Sequence, residues 1–299
     1  MRGKQVLRNV VPMNFSHFLL TQFNLRNFPM SSHSAHDQWL NWTRSRVTLF
    51  KTFCLPSVLN QTKRDFSWLI YFDADTPAEF RSFIQELESH EFIKICYSQG
   101  SEDFFKNYLR EVKVRIKADD RWVITTRLDN DDVLHRSAME VIQQNFVEKD
   151  KFLISLASGY VLDIERKVLA HYFYPMSPFI SLVESASGSS VGVFAKPHTQ
   201  WGALRLFIFR EIYLEFFNRS ERQSRFILKS PLWIQIYHGN NVSNSFYRGL
   251  PVLTSKQLSD FGINLSTMKM NVGELHKFRN YVIWKRYFKC WVIKMILNK

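Results

Sequence analysis

The sequence predicts an α/β fold built around a mostly parallel central sheet, and three observations support this. Apolar segments of strand length alternate with segments of helical periodicity through the first 150 residues. The connecting segments are long enough for right-handed crossovers, which join parallel strands. Of the 299 residues, 45% are apolar and 15% aromatic, enough for a large buried core.

The first strand and helix are indicated by spacing. The apolar run HFLLTQFNL predicts a strand at residues 17–25. A helix is predicted at residues 37–55, with Asp37 as N-cap and a series of apolar residues at mostly helical spacing: Trp39, Trp42, Val47, Phe50 and Phe53. Pro56 is expected to end or kink this helix, because proline lacks an amide hydrogen.

The alternation then continues in order. Strands are predicted for FSWLIYF, FIKICY and WVITTRL, at residues 66–72, 92–97 and 122–128. Helices are predicted after them, at residues 78–89, 102–118 and 136–149. Thr76 and Pro77 resemble an N-cap and first helical residue for the helix at 78–89.

The pattern changes after residue 150. Strands are predicted at 152–162 and 167–174, a Ser/Gly-rich loop at 185–192, a helix at 203–218 and a short element at 231–238. We therefore expect residues 1–150 to form one half of a single domain and residues 151–276 to form a mixed second half that packs on the first. Residues 277–299 form a separate basic, aromatic tail.

Acidic residues follow two of the predicted strands. In an open α/β sheet, ligands bind beyond the carboxyl ends of the strands. The segment DNDD at residues 129–132, here called the acidic cluster, places three carboxylates within four residues. Their mutual repulsion is relieved by a divalent cation, and carboxylate oxygens suit Mg²⁺ or Mn²⁺. The alternative is a solvated turn, since Asp and Asn favour turns.

Three further charged residues lie near these strand ends. Arg127, two residues before the cluster, can pair with a phosphate or with the cluster itself. Asp73 and Asp75 end the earlier strand, where a carboxylate can accept hydrogen bonds from a nucleoside. Capping of the next helix is the alternative role for these two aspartates.

Five blocks within residues 15–255 resemble the bacterial family of putative rhamnosyltransferases: HFLLTQFNLR, WLNWTRSRVTLFKTFCLPSVLNQT, FSWLIYFDADTP, WVITTRLDNDDVLH and PLWIQIYHGNNVSN. The resemblance implies a GT-A-like glycosyltransferase that uses a nucleotide-sugar donor, dTDP-rhamnose by the family name. Residues 1–150 are then the nucleotide-sugar-binding half of the domain, and residues 151–276 are the acceptor-side half. It implies a D-x-D-type motif formed by Asp129, Asp131 and Asp132, and contact between Asp73 and the nucleoside. Gln22 stands where a basic residue is expected.

The remaining site predictions combine this resemblance with the chemistry and position of each residue. The metal ligands are expected to be Asp129, Asp131 and His238, with Mn²⁺ or Mg²⁺ as the cofactor. The donor is expected to contact a wider set of residues: Asp73, Asp75, Arg127, Asn130, Asp132 and Trp201. Glu184 is the candidate catalytic base, because an inverting transfer needs a carboxylate near the acceptor hydroxyl.

Two other functions compete with sugar transfer. Residues 188–192 (GSSVG) match the G-x-S-x-G motif of serine hydrolases, with Ser190 as nucleophile and Asp260 and His276 in the required order. That reading needs a strand before Ser190 and a helix after it. A net charge of +13 also allows a non-catalytic module that binds polyanions, although no nucleic-acid-binding motif is present and no nucleic-acid partner is expected.

The sequence also predicts a location. Three widely spaced cysteines fit a reducing cytosol, and we find neither a secretory signal nor an 18-residue apolar span. On a helical wheel of the tail, aromatic residues such as Trp284 and Trp291 fall on one side, and the basic residues Lys285, Arg286 and Lys289 fall on another. This pattern suits an anionic membrane surface, the expected workplace for a glycan or lipid-linked acceptor. Docking of the tail on the protein's own core is the alternative.

Overall fold

A computed structural model describes residues 14–27, 33–175, 177–201, 214, 218–238, 250–252 and 256–263. It contains two β-sheets with helices packed around them. The strands are β1 (Phe15–Gln22), β2 (Ser67–Asp73), β3 (Ile93–Ser98), β4 (Trp122–Arg127), β5 (Val133–Leu134), β6 (Phe152–Leu156), β7 (Ser158–Asp163), β8 (Val168–Phe173), β9 (Ile180–Ser185), β10 (Ser224–Ile227), β11 (Trp233–Tyr237) and β12 (Leu250–Pro251).

The central sheet has seven strands in the order β10-β6-β9-β4-β1-β2-β3. Strands β1 to β4 are parallel to one another, β10 is parallel to β6, and β9 runs antiparallel to both β4 and β6. Only β9 therefore opposes the common direction. The predicted α/β class with a mostly parallel sheet is confirmed, and strands from both halves of the chain share this sheet.

Five α-helices are described: α1 (His33–Leu49), α2 (Leu55–Leu59), α3 (Arg81–Glu88), α4 (Gly100–Lys113) and α5 (Ala138–Gln144). Between α1 and α2 lies a π-helical segment, Phe50–Cys54. Of the two effects predicted for Pro56, an end of the helix is wrong, because Pro56 falls in the first turn of α2 and the helix continues to Leu59. The wider turn directly before Pro56 suits a residue that lacks an amide hydrogen.

Two predictions for the second half were wrong in detail. The single strand expected at 152–162 is two strands, because the chain leaves the central sheet after β6 and enters the second sheet with β7. Strand β9, at Ile180–Ser185, was not predicted, although all but its last residue are buried. The predicted helix at 203–218 and the tail at 277–299 lie almost entirely outside the described residues.

The second sheet has the strand order β12-β8-β7-β11-β5. Strand β11 lies parallel to β7, and Trp233 at its start sits against Gly159. A Cβ atom on Gly159 would be 2.1 Å from the Trp233 ring, so only glycine fits there. The ring also stacks on Phe179 at 4.6 Å between centroids, and its Nε1 donates to the Leu156 carbonyl at 2.6 Å. This packing fixes β11, which leads directly into His238.

Apolar side chains cover both faces of the central sheet. One buried cluster includes Phe23, Phe50 and Trp68, and another includes Phe104, Tyr108 and Phe194. Within the described part of the chain, no helix combines the length and apolar character needed to cross a membrane.

Candidate functional site

The ends of three parallel strands position the candidate site. Strand β1 lies between β2 and β4, with Gln22 opposite Tyr71 and Leu20 opposite Arg127. Because these strands are parallel, their carboxyl ends meet at one edge of the sheet. The acidic cluster follows β4 at this edge, and Asp73 ends β2 on the other side of β1.

The backbone and amide contacts of the acidic cluster hold it against β1. The amide of Asn130 donates to the carbonyls of Phe23 at 2.6 Å and Gln22 at 3.3 Å. The backbone N–H of Asp132 donates to the Asp129 carbonyl at 3.2 Å, which closes a turn. Gln22, the position that departs from the family pattern, thus contributes its carbonyl to the site.

Asp131 is the most heavily contacted carboxylate of the cluster. Its Oδ2 accepts hydrogen bonds from Nη1 of Arg46 on α1 and, at 3.1 Å, from Nε2 of His238 after β11. Burial alone raises the pKa of Asp131, but the His238 hydrogen bond and the Arg46 charge outweigh it and hold that pKa below its usual range. The structure therefore brings together two of the predicted metal ligands, Asp131 and His238.

Asp129 is paired with Arg127. The guanidinium donates from Nε at 3.0 Å and from Nη2 at 3.1 Å to the two carboxylate oxygens, a bidentate arrangement. Phe194 lies under the same guanidinium, 5.3 Å from its ring centroid to Cζ. Of the two roles predicted for Arg127, the structure shows the contact with the cluster.

Asp132 is the third carboxylate and is neutralised differently. It is buried, and its Oδ1 accepts a hydrogen bond from the backbone N–H of Ile236 at 3.3 Å. Burial, reinforced by the charges of Asp131 and Asp129, raises the pKa of Asp132 well above its usual range. This carboxyl group is thus favoured in its protonated form in the protein alone.

Asp73 lies fully buried at the end of β2. Its carboxylate accepts hydrogen bonds from the backbone N–H groups of Arg26 and Asp75, each at 3.1 Å, and pairs with the Arg26 guanidinium at 2.6 Å. The same guanidinium contacts the exposed carboxylate of Asp75. Asp73 and Asp75 thus anchor the chain after β1, and their contact with a nucleoside stays a prediction.

Glu184 is not brought to the acidic cluster. It pairs with Val123 at the start of β4, whereas the cluster follows the end of that strand. Its carboxylate is buried and accepts hydrogen bonds from the backbone N–H groups of Val191 at 2.8 Å and Gly192 at 2.9 Å. Burial raises its pKa despite these bonds. The side chain therefore holds the loop after β9, and this placement gives no support to a role as catalytic base.

The loop after β9 also contains the two remaining candidates. The Trp201 indole donates to the Val193 carbonyl at 3.1 Å and lies under Lys196, so it ties the end of this loop to the short 3-10 helix in its middle. Ser190 is preceded by a turn and followed by the short 3-10 helix Val193–Ala195, so no nucleophile elbow forms. Asp260 pairs with Arg136, and His276 lies outside the described residues.

A cavity of about 290 Å³ opens beside the acidic cluster. It is lined by Arg127 and all four cluster residues, which the sequence predicted to act together. It is also lined by residues that were not predicted, among them Asn27, Trp42, Arg46, His198 and Gln235. The other predicted site residues are not part of its wall: Asp73, Asp75, Glu184, Trp201 and His238. His238 meets the wall only through its contact with Asp131.

Arg46 is the principal residue that the sequence analysis missed. It lies on the apolar side of α1, one helical turn after Trp42, and its guanidinium sits 5.0 Å from the Trp42 ring centroid. A charged residue in phase with a buried helical stripe is uncommon unless it is paired. That break in the stripe was the signal in the sequence that could have identified it.

The chemistry of the predicted ligands fits a divalent cation. Carboxylates together with imidazole suit Mn²⁺, and carboxylates with phosphate oxygens suit Mg²⁺. Among the described residues, however, no group of three or more His, Cys, Asp or Glu side chains is arranged to hold a metal ion. The positive charges that lie against Asp131 and Asp129 in the structure are those of Arg46 and Arg127.

Comparison with known proteins adds a family. The profile of the family described as "Putative rhamnosyl transferase" matches residues 11–203, which include β1 to β9 and the acidic cluster. No curated protein matches the chain.

Two solved structures show weak similarity. The crystal structure of S. aureus TarS 1-349 has a TM-score of 0.39 and 8% identity, over 74% of this chain and 60% of that one. This chain thus spans less than two thirds of that protein. A putative nucleotide-diphospho-sugar transferase from Desulfovibrio desulfuricans G20 has a TM-score of 0.31 and 8% identity, over 91% of this chain and 97% of that one.

Proposed function

Because the chain belongs to the family of putative rhamnosyl transferases, we propose that it transfers a sugar from a nucleotide-sugar donor to a glycan or lipid-linked acceptor. The family name points to rhamnose, and dTDP-rhamnose is the proposed donor. The observation that carries the proposal is the cavity at the carboxyl edge of the sheet, which is lined by the acidic cluster, Arg46 and Arg127. Such an edge is where α/β proteins bind nucleotides.

The proposed reaction is metal-dependent. Asp129, Asp131 and His238 are the proposed ligands of a Mn²⁺ or Mg²⁺ ion, which would supply positive charge to the departing nucleoside diphosphate. Arg127, which lines the cavity, is proposed to add a second positive charge near the diphosphate. Asn130 and Asp132 hold the shape of the turn through their bonds to the backbone.

The remaining donor contacts and the location belong to the same proposal. Asp73 and Asp75 are proposed to reach the nucleoside through the loop that they anchor. Trp201 is proposed to act on the donor indirectly, by holding the loop after β9. If the acceptor is lipid-linked, the protein is proposed to act on the cytoplasmic face of an anionic membrane, which it would contact through the tail at 277–299.

A panel of nucleotide sugars tests the function. We expect dTDP-rhamnose, rather than the UDP and GDP sugars, to be hydrolysed or transferred in the presence of Mn²⁺, and the reaction to stop with EDTA. The variant Asp131→Asn keeps the size of the side chain but removes its charge. Its turnover should fall by about 100-fold or more, as expected when charge stabilisation of a leaving group is lost.

The control is Asp119→Asn, which makes the same chemical change at an exposed position. Both variants should retain the circular dichroism spectrum of the unmodified protein. Wild-type turnover by Asp131→Asn with Mn²⁺ present would reject the site, and the absence of turnover with every donor in the panel would reject the proposed function.

A further inference from the structure

Arg46 is a buried cation with an unusual position. Only 7% of the residue is exposed. Arginine is seldom this buried, and where it is, its charge is paired. It lies on α1, the helix that packs beside the ends of β1 and β4, and it lines the same cavity as Arg127 and the acidic cluster. Its guanidinium therefore faces the space assigned above to the donor.

The contacts of Arg46 concentrate on one nitrogen. Nη1 contacts Oδ2 of Asp131 and lies 3.3 Å from Oδ1 of Asn130. Within the described residues, its polar contacts use Nη1 alone, while the Trp42 ring lies 5.0 Å from Cζ. The rest of the planar group keeps donors of the kind that bind a phosphate with two parallel hydrogen bonds.

Asp131 is shared between two partners on the same oxygen. Its Oδ2 faces both Arg46 and, at 3.1 Å, Nε2 of His238. Any cation that binds to this oxygen must therefore compete with the Arg46 guanidinium. Conversely, an arginine displaced from Asp131 would be a buried, unpaired charge, which is unfavourable unless another anion replaces the carboxylate.

We propose that Arg46 binds the diphosphate of the nucleotide-sugar, and that it is paired with Asp131 until that diphosphate arrives. In the protein alone, Arg46 neutralises Asp131. When a nucleotide-sugar enters the cavity and a divalent cation engages Asp131, the guanidinium exchanges the carboxylate for the diphosphate. No covalent bond forms or breaks in this exchange. The inference rests on the proposed function, since it assigns a residue to the diphosphate of that donor.

This exchange couples the two ligands. The cation frees Arg46 for the diphosphate, and the diphosphate removes Arg46 as a competitor of the cation. Each ligand should therefore bind more tightly in the presence of the other, by the same factor. Direct contact between the cation and the diphosphate also couples the two ligands, so the contribution of Arg46 is the part of the coupling that is lost when Arg46 is replaced. An arginine that only supported the packing of α1 would leave the coupling unchanged on replacement.

The test measures binding, without turnover, in the full chain. Free Mn²⁺ is measured by electron paramagnetic resonance, and dTDP binding is measured by calorimetry with and without Mn²⁺. In Arg46→Gln, Mn²⁺ should bind about tenfold more tightly without nucleotide, because its competitor is gone. In the same variant, dTDP with Mn²⁺ should bind about tenfold more weakly, the usual effect of losing a charged hydrogen bond.

Arg44→Gln is the matched control. Arg44 lies on the same helix and its substitution removes the same charge, but its side chain is exposed and pairs with Glu79 outside the cavity. Both affinities should be unchanged in this variant. Arg46→Lys is a second test that keeps the charge and the fold. It should weaken dTDP binding with Mn²⁺ by about threefold or more, because a lysine cannot make paired hydrogen bonds to a phosphate.

The outcomes separate this inference from the proposed function. If dTDP and UDP fail to bind the unmodified protein with or without Mn²⁺, the proposed function fails. If dTDP binds but Arg46→Gln and Arg46→Lys behave like Arg44→Gln, the donor site stands and the role of Arg46 is rejected. If Arg46→Gln loses cooperative thermal unfolding and Arg46→Lys does not, the dTDP affinity of Arg46→Lys decides whether the role of Arg46 stands.

Discussion

At the scale of single residues, the acidic cluster shows how a chain tolerates three neighbouring carboxylates. Asp129 is paired with Arg127, Asp131 is held between Arg46 and His238, and Asp132 is favoured as the neutral acid. Each solution lowers the repulsion that the sequence predicts for DNDD. The sequence identified the carboxylates and Arg127, but the contact with Arg46 joins residues 85 positions apart and has no local pattern.

His17 provides a residue-scale prediction of pH dependence. Its Nε2 donates to Thr126 Oγ1 at 2.7 Å, and its Nδ1 accepts from the Gln143 amide at 3.2 Å. Burial lowers the pKa of this imidazole to about 3, whereas in the unfolded chain it titrates near its usual value of about 6.5. The folded protein therefore binds fewer protons than the unfolded chain between these two values.

This difference in proton binding makes the folded state less stable as the pH falls. The contribution of neutral His17 to stability is complete above pH 6.5 and declines as the pH falls toward 3. Between pH 7 and pH 5, the free energy of unfolding should decrease by about 2 kcal/mol through this residue. Urea denaturation at the two pH values measures the change. His17→Asn should lower stability at both but reduce the difference by that amount, and an unaltered difference would contradict the assignment.

At the scale of elements, the strands divide into those with a local signal and those without one. Strands β1, β2 and β4 are rich in apolar residues and almost fully buried, as expected for strands covered on both faces, whereas the edge strand β3 alternates between buried and exposed residues. Strand β9 contains Ser181 and Glu184, which interrupt the apolar pattern although both are buried. Their partners, the Thr126 hydroxyl and the backbone of Val191 and Gly192, lie elsewhere in the chain. No window of sequence could show that these polar groups would be satisfied.

The break between β6 and β7 could not be predicted from the sequence for a similar reason. Residues 152–162 read as one apolar strand, but the chain changes sheets near Ala157. The N–H of Ala157 donates to the Ile227 carbonyl, and its own carbonyl accepts from Tyr174 N–H at 2.8 Å. Both partners come from later segments, so the position of the break depends on tertiary contacts.

Gly159 gives a prediction for the β7–β11 pair. Because a Cβ atom there would overlap the Trp233 ring, Gly159→Ala should lower the free energy of unfolding by about 3 kcal/mol, measured by urea denaturation. The matched control is Gly188→Ala, whose Cβ would meet its nearest neighbour at an ordinary 3.6 Å. Trp233→Leu in the Gly159→Ala background should cost less than in the unmodified protein. Equal effects of the two glycine substitutions would contradict the packing argument.

At the scale of the whole molecule, the net charge of +13 favours anionic surfaces. The acidic cluster is neutralised locally, so this excess does not come from the site itself. The tail carries part of it, with Lys285, Arg286 and Lys289 among its aromatic residues. Each cation near an anionic bilayer contributes about 1 kcal/mol, so a few give reversible, salt-sensitive attachment.

Removal of residues 277–299 tests this attachment. The shortened protein should bind anionic liposomes at least about tenfold more weakly while its affinity for dTDP with Mn²⁺ stays the same. Liposome co-sedimentation at low and high salt measures the first quantity. Replacing only Lys285, Arg286 and Lys289 by glutamine is the matched variant that keeps the aromatic residues. Unchanged liposome binding by the truncated protein contradicts the anchor, and unfolding on truncation places the tail in the core.

The contacts around the acidic cluster join distant parts of the chain, and this determines when they can form during synthesis. Asn130 and Phe23 are 107 positions apart in the chain, and so are Asp131 and His238. Contacts of such high sequence separation form slowly, because the intervening chain must first be ordered. A growing chain that has just passed the acidic cluster has strands β1 to β4 but neither His238 nor the β11 strand that positions it. The contact between Asp131 and His238 therefore cannot form until His238, 107 positions after Asp131, has been synthesised, so this part of the candidate site is completed late relative to the strands that carry the cluster.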